Sequence, residues 1–278
     1  MAIVETTLSK VNAAVLDTGI FRHRDFDNRI IAFRDFVNGK NVVYDDSGHG
    51  THVAGIIAGS GLSSNGKYRG IAPSAGIIAV KVLDESGNGR ISDVLDGVDW
   101  LIENKKRFNI RVVNISFGSV LKLNKENMES YDRLVNGIEK LWDNGLVVVA
   151  AAGNNGPKPG SITIPGISRK IITVGAFDDT KFKSGRGPTK ECVAKPEVLV
   201  TGTNIIACSN SQGKYVSKSG TSMAAPIVTG AVIRLLSRKP EMTPGEVKLK
   251  IHDSAIRKSE YRNACAWGIL DVAKLVYH

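Results

Sequence analysis

The sequence predicts an α/β fold of three layers, in which a mainly parallel, twisted sheet carries helices on both faces. Short segments rich in Val and Ile alternate along the chain with longer segments of helical period, an order that favours parallel strands joined by right-handed crossovers. The apolar segments show little alternation of polar and apolar residues, as expected for strands covered on both faces. No interdomain linker or internal repeat interrupts the 278 residues, so we expect one domain over residues 1–278.

The individual elements follow from these patterns in chain order. Strands are predicted over residues 11–17, 77–83, 112–117, 146–152 and 171–176. Helices are predicted over residues 49–59, 92–105, 129–144, 222–238 and 243–253, and after Gly268. Ser92 and Thr243 are expected to cap their helices, the latter with Pro244 in the first turn. Residues 222–236 are almost wholly apolar, which predicts a helix buried within the fold.

The composition is typical of a globular protein. Hydrophobic residues make up 42% of the chain and charged residues 23%, which excludes disordered and collagen-like classes. No apolar run approaches the roughly 20 residues of a bilayer-spanning helix, so no membrane partner is expected. The three cysteines, Cys192, Cys208 and Cys265, are irregularly spaced. They predict neither a disulfide framework nor a zinc site.

The net charge of +10 is concentrated in the last third of the chain, where residues 181–278 hold 16 Lys and Arg against 7 Asp and Glu. These charges are scattered and lack interleaved aromatic residues, so no nucleic-acid partner is expected. The oligomeric state is left open. The first ten residues lack the apolar core of a signal peptide, which predicts a cytoplasmic protein. The alternative is a secreted protein whose leader and propeptide are absent from this chain.

Three polar motifs lie where the predicted strands end or helices begin. Asp17 follows the first strand, His49 opens the motif His-Gly-Thr-His-Val-Ala-Gly, and Ser222 lies in Gly-Thr-Ser-Met-Ala-Ala-Pro. A serine hydroxyl becomes a good nucleophile when an imidazole takes its proton, and a buried carboxylate holds that imidazole in the required tautomer. Because ligand sites of such sheets lie beyond the carboxyl ends of the strands, we expect these residues to meet there.

Asn154 completes this predicted site. It follows the fourth strand in Ala-Ala-Ala-Gly-Asn, where its side-chain amide can donate to a developing oxyanion beside the backbone N–H of Ser222. The start of a helix adds further donors and a favourable dipole at that position.

Together these motifs resemble those of the subtilisin family of serine proteases, the subtilases, from about residue 11 to the C-terminus. The order Asp, His, Ser is that of subtilisin itself. The loop at residues 59–70 is most similar to the intracellular, AprX-like bacterial branch. The resemblance implies a serine endopeptidase that forms an acyl-enzyme. Asp17 would orient His49, which acts as base and then acid, with Ser222 as nucleophile and Asn154 as oxyanion donor. The alternative is a catalytically inactive subtilase-like binding or regulatory protein.

The resemblance also implies how a peptide or protein substrate binds. The substrate would add a strand between Asn88-Gly89-Arg90 and Ser116-Phe117-Gly118. The walls of the S1 pocket would be Ala151-Ala152-Gly153 and residues 116–118, with Thr163 near the floor. Because these residues are small or uncharged, an apolar P1 side chain is expected.

No cofactor is needed for this chemistry, but subtilases often bind structural Ca²⁺. Asp25 matches one ligand position of the family, although the partner loop at residues 62–67 offers no carboxylates. The resemblance assigns His52 a packing role on its helix. We expect the pair Asp45 and Asp46 to lie in a solvated loop.

Overall fold

The structure is a computed structural model that describes residues 11–118, 125–261 and 265–278. Its central sheet has nine strands within these ranges, in the order β10-β11-β7-β6-β5-β4-β1-β3-β2. In chain order the strands are β1 (Asn12–Asp17), β2 (Ile30–Asp35), β3 (Ile77–Lys81), β4 (Ile110–Ile115), β5 (Val147–Ala151), β6 (Ile172–Ala176), β7 (Val198–Val200), β10 (Ala255–Ile256) and β11 (Gly268–Leu270). A separate antiparallel hairpin joins β8 (Ile205–Cys208) to β9 (Tyr215–Lys218).

Every described pairing in the large sheet is parallel except that between β10 and β11. The central strands β1, β3, β5 and β6 are buried along their whole length, in agreement with their unalternating apolar sequences. The mainly parallel three-layer fold predicted from the sequence is therefore confirmed.

Six helices are described on the two faces of the sheet. They are α1 (His49–Ala58), α2 (Ile91–Asn104), α3 (Lys125–Asp143), α4 (Thr221–Arg238), α5 (Pro244–Asp253) and α6 (Val272–Tyr277). Helices α1, α4, α5 and α6 share one hydrophobic core with one face of the sheet, and α2 and α3 share a second core with the other. Within the described ranges, no helix combines the length and the apolar character needed to cross a bilayer.

The helix ends test the predicted caps. Thr243 and Glu246 form a reciprocal capping box, with Pro244 in the first turn of α5. The cap predicted at Ser92 is wrong, because α2 already begins at Ile91 and the Ser92 hydroxyl donates to Asp93 instead.

Several strands lie outside the predicted set. The edge strand β2 is only partly buried, the hairpin β8–β9 is half exposed, and β7 and β11 have three residues each. Such segments carry too short or too mixed a pattern to separate a strand from a loop. The predicted domain also includes residues 1–10, 119–124 and 262–264, which lie outside the described residues.

Candidate active site

The candidate residues converge because β1, β4 and β5 are neighbours in the sheet. Asp17 ends β1, Ser116 directly follows β4, and Asn154 comes three residues after β5. Neighbouring parallel strands are about 4.8 Å apart, so the ends of these three strands span only about 10 Å. Their carboxyl ends therefore bring together segments that are far apart in sequence.

Asp17 and His49 form a buried pair at this edge. His49 Nδ1 and Asp17 Oδ1 are 2.7 Å apart, and the carboxylate is fully buried while the imidazole is 26% exposed. Asp17 Oδ1 also accepts the backbone N–H of Thr18, whereas Oδ2 is buried without a hydrogen-bond partner among the described residues. Burial alone lowers the pKa of His49, but the charge of Asp17 and its hydrogen bond outweigh this effect and raise the pKa above its usual value.

The loop before His49 holds the start of α1 in place. Asp45 is buried, and its carboxylate accepts the backbone N–H groups of Gly48 and Thr51 and the hydroxyls of Thr18 and Thr51. The expectation that Asp45 is solvated is therefore wrong. Its oxygens satisfy N–H groups that the first turn of a helix leaves unpaired.

Asp46 anchors the same loop to the sheet. It lies 2.7 Å from the ammonium group of Lys81, the last residue of β3, which is fully buried. Lys81 also donates to the carbonyl oxygens of Thr18 and Leu83. No sequence pattern indicates this buried cation, because its partners lie in separate segments.

Ser222 lies in the first turn of α4. Its hydroxyl donates to the carbonyl oxygen of Ser116 at 2.7 Å, and the Ser116 hydroxyl donates to the carbonyl oxygen of Ser222 at 3.0 Å. These two bonds join the start of α4 to the end of β4. Among the described residues, no hydrogen bond links Ser222 to His49, because the Ser222 hydroxyl is held by Ser116 instead.

Asn154 is oriented by the residue before Ser222. Its Oδ1 accepts the backbone N–H of Thr221 at 3.0 Å and the Thr221 hydroxyl at 3.2 Å. This arrangement leaves the Nδ2 donors available to a ligand. Gly220 permits the approach, because it has φ +147° and a Cβ there would lie 3.3 Å from Asn154 Nδ2.

The predicted S1 residues also come together. Thr163 lies between the two predicted walls, because a Cβ on Gly118 would be 2.2 Å from its Oγ1 and a Cβ on Gly153 would be 2.4 Å from its Cγ2. The backbone N–H of Thr163 donates to the carbonyl oxygen of Ala152. Ala151, Ala152 and Ser116 are buried, and Phe117 is half-buried. Thr163 therefore closes one end of the space between residues 116–118 and 151–153.

Asn88, Gly89 and Arg90 lie in an exposed loop after β3. Asp84 closes this loop by accepting the backbone N–H of Asn88, and Arg90 pairs with Asp93 at 3.0 Å. No backbone hydrogen bond within the described ranges joins this loop to residues 116–118. Within the described contacts, the backbone of Gly89 takes part in no hydrogen bond, and strand addition by a substrate requires such groups.

His52 packs the hairpin β8–β9 against α1. Its Nε2 lies 3.1 Å from the carbonyl oxygen of Ile205 and 3.0 Å from that of Val216. Burial lowers its pKa to about 4, so the ring is neutral and Nε2 donates to the hairpin. The same hairpin ends at Lys218, whose positive charge reaches His49 and acts to lower its pKa. The sequence motifs did not single out Lys218, since it belongs to a strand that the pattern missed.

The surroundings of Asp25 do not fit a calcium ion. Its carboxylate is fully buried and accepts the backbone N–H groups of Gly61 and Ser63 and the hydroxyl of Tyr215. Ca²⁺ requires six to eight oxygen ligands, whereas hydrogen-bond donors surround Asp25. These donors hold the pKa of Asp25 below its usual value against the opposing effect of burial.

The chain is similar to proteins of one family over almost its whole length. The model of the subtilase family matches residues 9–268. Serine protease AprX of Bacillus subtilis (strain 168) is 42% identical, over 86% of this chain and 59% of that protein. Subtilisin DY of Bacillus licheniformis is 32% identical, over 89% of this chain and 84% of that protein. The chain thus spans less than two thirds of AprX but most of subtilisin DY.

Solved structures agree with this similarity. A cold-adapted subtilisin-like serine proteinase superposes with a TM-score of 0.75 at 30% identity, covering 94% of this chain and 86% of that one. A psychrophilic protease designated S41 superposes with a TM-score of 0.78 at 28% identity, covering 95% of this chain and 92% of that one.

Proposed function

Because the chain belongs to the subtilase family, we propose that it is a serine endopeptidase that cleaves peptide bonds through an acyl-enzyme. The observation that carries the proposal is the 2.7 Å contact between His49 Nδ1 and Asp17 Oδ1, at the sheet edge where Ser222 lies in the first turn of α4. A carboxylate on Nδ1 leaves Nε2 of the neutral ring unprotonated and stabilises the ring once it is charged. His49 is thus prepared to accept a proton.

Catalysis begins when the Ser222 hydroxyl turns from Ser116 towards Nε2 of His49. His49 takes the proton as Ser222 Oγ attacks the scissile carbonyl, and it then gives that proton to the leaving amine. A water molecule, activated by the same imidazole, hydrolyses the acyl-enzyme. The Asn154 amide and the Ser222 backbone N–H supply the donors for the oxyanion, since Oδ1 of Asn154 is already held by Thr221.

The substrate lies as an added strand between residues 88–90 and 116–118, and its P1 side chain enters between residues 116–118 and 151–153. The residues around this space carry no charge. An unpaired P1 charge buried there costs several kcal/mol, whereas an apolar side chain gains about 1.5–3 kcal/mol. In a peptide library we therefore expect Leu, Met or Phe at P1 to exceed Lys or Arg at least tenfold in kcat/KM. A profile dominated by Lys or Arg would contradict this assignment of the pocket.

A serine-directed phosphonate tests the nucleophile. The wild-type chain should acquire one adduct, mapped by mass spectrometry to the peptide containing Ser222, and should hydrolyse peptides. Ser222→Ala should lose both properties while keeping its melting temperature. Ser219→Ala is the matched control, because Ser219 is the nearest serine in sequence and accepts only the backbone N–H of Asn204 among its described contacts.

The same experiment separates the enzyme from the inactive alternative. A folded wild-type chain that gains no adduct and cleaves no peptide would favour a binding or regulatory protein with a subtilase fold. An adduct on another residue would overturn the assignment of Ser222.

A further inference from the structure

A groove lined by three arginines opens where the strands β1 and β3 begin, at the end of the sheet opposite to Ser222. Its volume is about 680 Å³, within the range of ligand sites in proteins. It lies between the end of α4, the last helix α6 and residues 69–75, which precede β3. Ser222 and Arg238 occupy the first and last turns of α4, so they are about 24 Å apart along the helix at roughly 1.5 Å per residue.

The groove combines an apolar floor with a cationic rim. Val11, Ile233 and Val276 are buried side chains that line it. Arg69 and Arg238 on the rim are exposed, and Arg234 is half-buried. Within the described residues none of these three guanidinium groups pairs with a carboxylate, whereas Arg90 and Arg186 do.

Tyr277 arranges two of these cations. The guanidinium groups of Arg234 and Arg238 each lie 5.3 Å from the centre of its ring, and Arg234 also donates to its hydroxyl. Among the described contacts, the Arg238 guanidinium group makes no hydrogen bond and that of Arg234 makes only the one to the Tyr277 hydroxyl, so both keep N–H donors for carboxylates. Cations near the end of α4 also complement its dipole, but Arg69 comes from a separate loop and has no such role.

We infer that this arginine groove, formed by Arg69, Arg234 and Arg238 over the apolar floor, binds an acidic peptide segment. Its carboxylates pair with the guanidinium groups while a neighbouring apolar side chain lies on the floor. A nucleic acid suits the groove less well, because Tyr277 is the one aromatic side chain among the described residues that line it, whereas nucleic-acid platforms stack successive bases on several aromatic rings. The groove also accounts for part of the excess positive charge in the last third of the chain.

Its consequence for catalysis rests on the proposed function. A substrate that binds the groove through an acidic segment raises the effective concentration of its scissile bond at the distant active site. Because carboxylate pairing at a partly exposed rim is screened by ions, the binding should weaken as salt is added.

Fluorescence anisotropy tests the site without any need for catalysis. The probe is a labelled peptide of alternating Glu and Leu, compared with the same peptide carrying Gln in place of Glu and with a labelled single-stranded oligonucleotide. The protein is the full chain with Ser222→Ala, so that the probe stays intact. The Glu peptide should bind at least tenfold more tightly than the Gln peptide, and the binding should weaken between about 50 and 500 mM salt.

The triple variant Arg69→Gln, Arg234→Gln, Arg238→Gln should bind the Glu peptide at least tenfold more weakly. The matched control is Lys106→Gln, Arg107→Gln, Arg133→Gln, which removes the same charge from exposed positions just after α2 and within α3. This control should change the affinity by less than twofold. Arg69→Gln alone guards against misfolding, because the exposed Arg69 side chain makes no described hydrogen bond or ion pair, and it should still weaken binding measurably.

Three results would overturn the inference. Equal losses in the two triple variants would indicate unspecific attraction by net charge. An oligonucleotide that bound more tightly than the Glu peptide, and lost its affinity in the arginine variant, would indicate a nucleic-acid site. Peptide binding that appeared only after deletion of residues 2–10 would show that the chain's own N-terminus, which continues into Val11, fills the groove.

Discussion

Two opposite charges act on the imidazole of His49. The negative charge of Asp17 raises its pKa, and the positive charge of Lys218 acts in the other direction. In the proposed mechanism His49 is the general base and must be unprotonated to act, so we expect the balance of these charges to set the lower pH limit of activity. Burial lowers the pKa of His49, but Asp17 outweighs it and holds this pKa above its usual value, so we expect kcat/KM to fall on the acid side at a higher pH than for an unperturbed imidazole.

Replacing Lys218 by Gln should move this acid limb to higher pH. The change removes a positive charge that disfavours the imidazolium, so His49 binds its proton more tightly and loses activity earlier as the pH falls. The measurement is kcat/KM against pH for a neutral peptide at low salt. Lys214→Gln, an exposed lysine in the turn of the same hairpin, should leave the limb unmoved. A shift of the Lys218→Gln limb to lower pH would contradict the electrostatic argument.

Asn154→Leu should mainly lower kcat. Loss of one oxyanion donor costs about 100- to 1,000-fold in kcat, a magnitude that is known from subtilisin itself. KM should change little, because the donor acts on charge that develops in the transition state. Asn155→Leu is the control, since this neighbouring exposed side chain makes no described hydrogen bond. A large rise in KM at constant kcat would instead make Asn154 a ground-state binding residue.

At the scale of elements, the sequence was most informative where strands end. Asp17 and Asn154 could be placed because the buried strands before them have long unmixed apolar patterns. The roles of Asp45, Lys81 and Lys218 could not be placed, since their partners lie in other segments and no local pattern encodes a contact across the sheet. The same limit explains why Asp25, matched to a family ligand position by sequence alone, lies among donors unsuited to calcium.

Helix α1 illustrates how an unpredicted contact supports a predicted residue. Asp45→Ala should lower the free energy of unfolding by about 1–3 kcal/mol, because it leaves N–H groups in the first turn and two buried hydroxyls without their acceptor. It should also lower kcat, since His49 is the first residue of that turn. Denaturant unfolding in a Ser222→Ala background measures the change in the free energy of unfolding. Peptide hydrolysis by the variant without Ser222→Ala measures the change in kcat. Asp45→Asn, which keeps an acceptor oxygen, should recover part of both. Wild-type stability in Asp45→Ala would refute the capping role.

At the scale of the molecule, Asp25 ties three distant parts of the chain together. It joins the loop at residues 61–63 to Tyr215 in the hairpin β8–β9, and His23 and Cys208 lie beside it. The hairpin in turn packs on α1 through His52. We therefore expect this cluster to stabilise the position of α1, which begins with His49. A hydrogen bond to a charged acceptor contributes about 1.5–3 kcal/mol. The bonds that Asp25 accepts can therefore stabilise these segments without a bound ion.

Asp25→Asn should therefore destabilise the protein by about 2–3 kcal/mol, or lower the melting temperature by about 5–10 °C. The loss should be the same with excess calcium as with a chelator, because the carboxylate accepts hydrogen bonds from protein donors.

Since its pKa is lowered in the folded state, Asp25 contributes its stability above the usual carboxyl pKa and loses it as the pH falls through the lowered value. The difference between wild type and Asp25→Asn should thus shrink only in strong acid. Melting curves in the Ser222→Ala background measure this difference in stability. The charge-matched control is Asp27→Asn, because Asp27 is exposed. A stabilisation by calcium that Asp25→Asn abolished would restore Asp25 as a metal ligand and refute this account of the cluster.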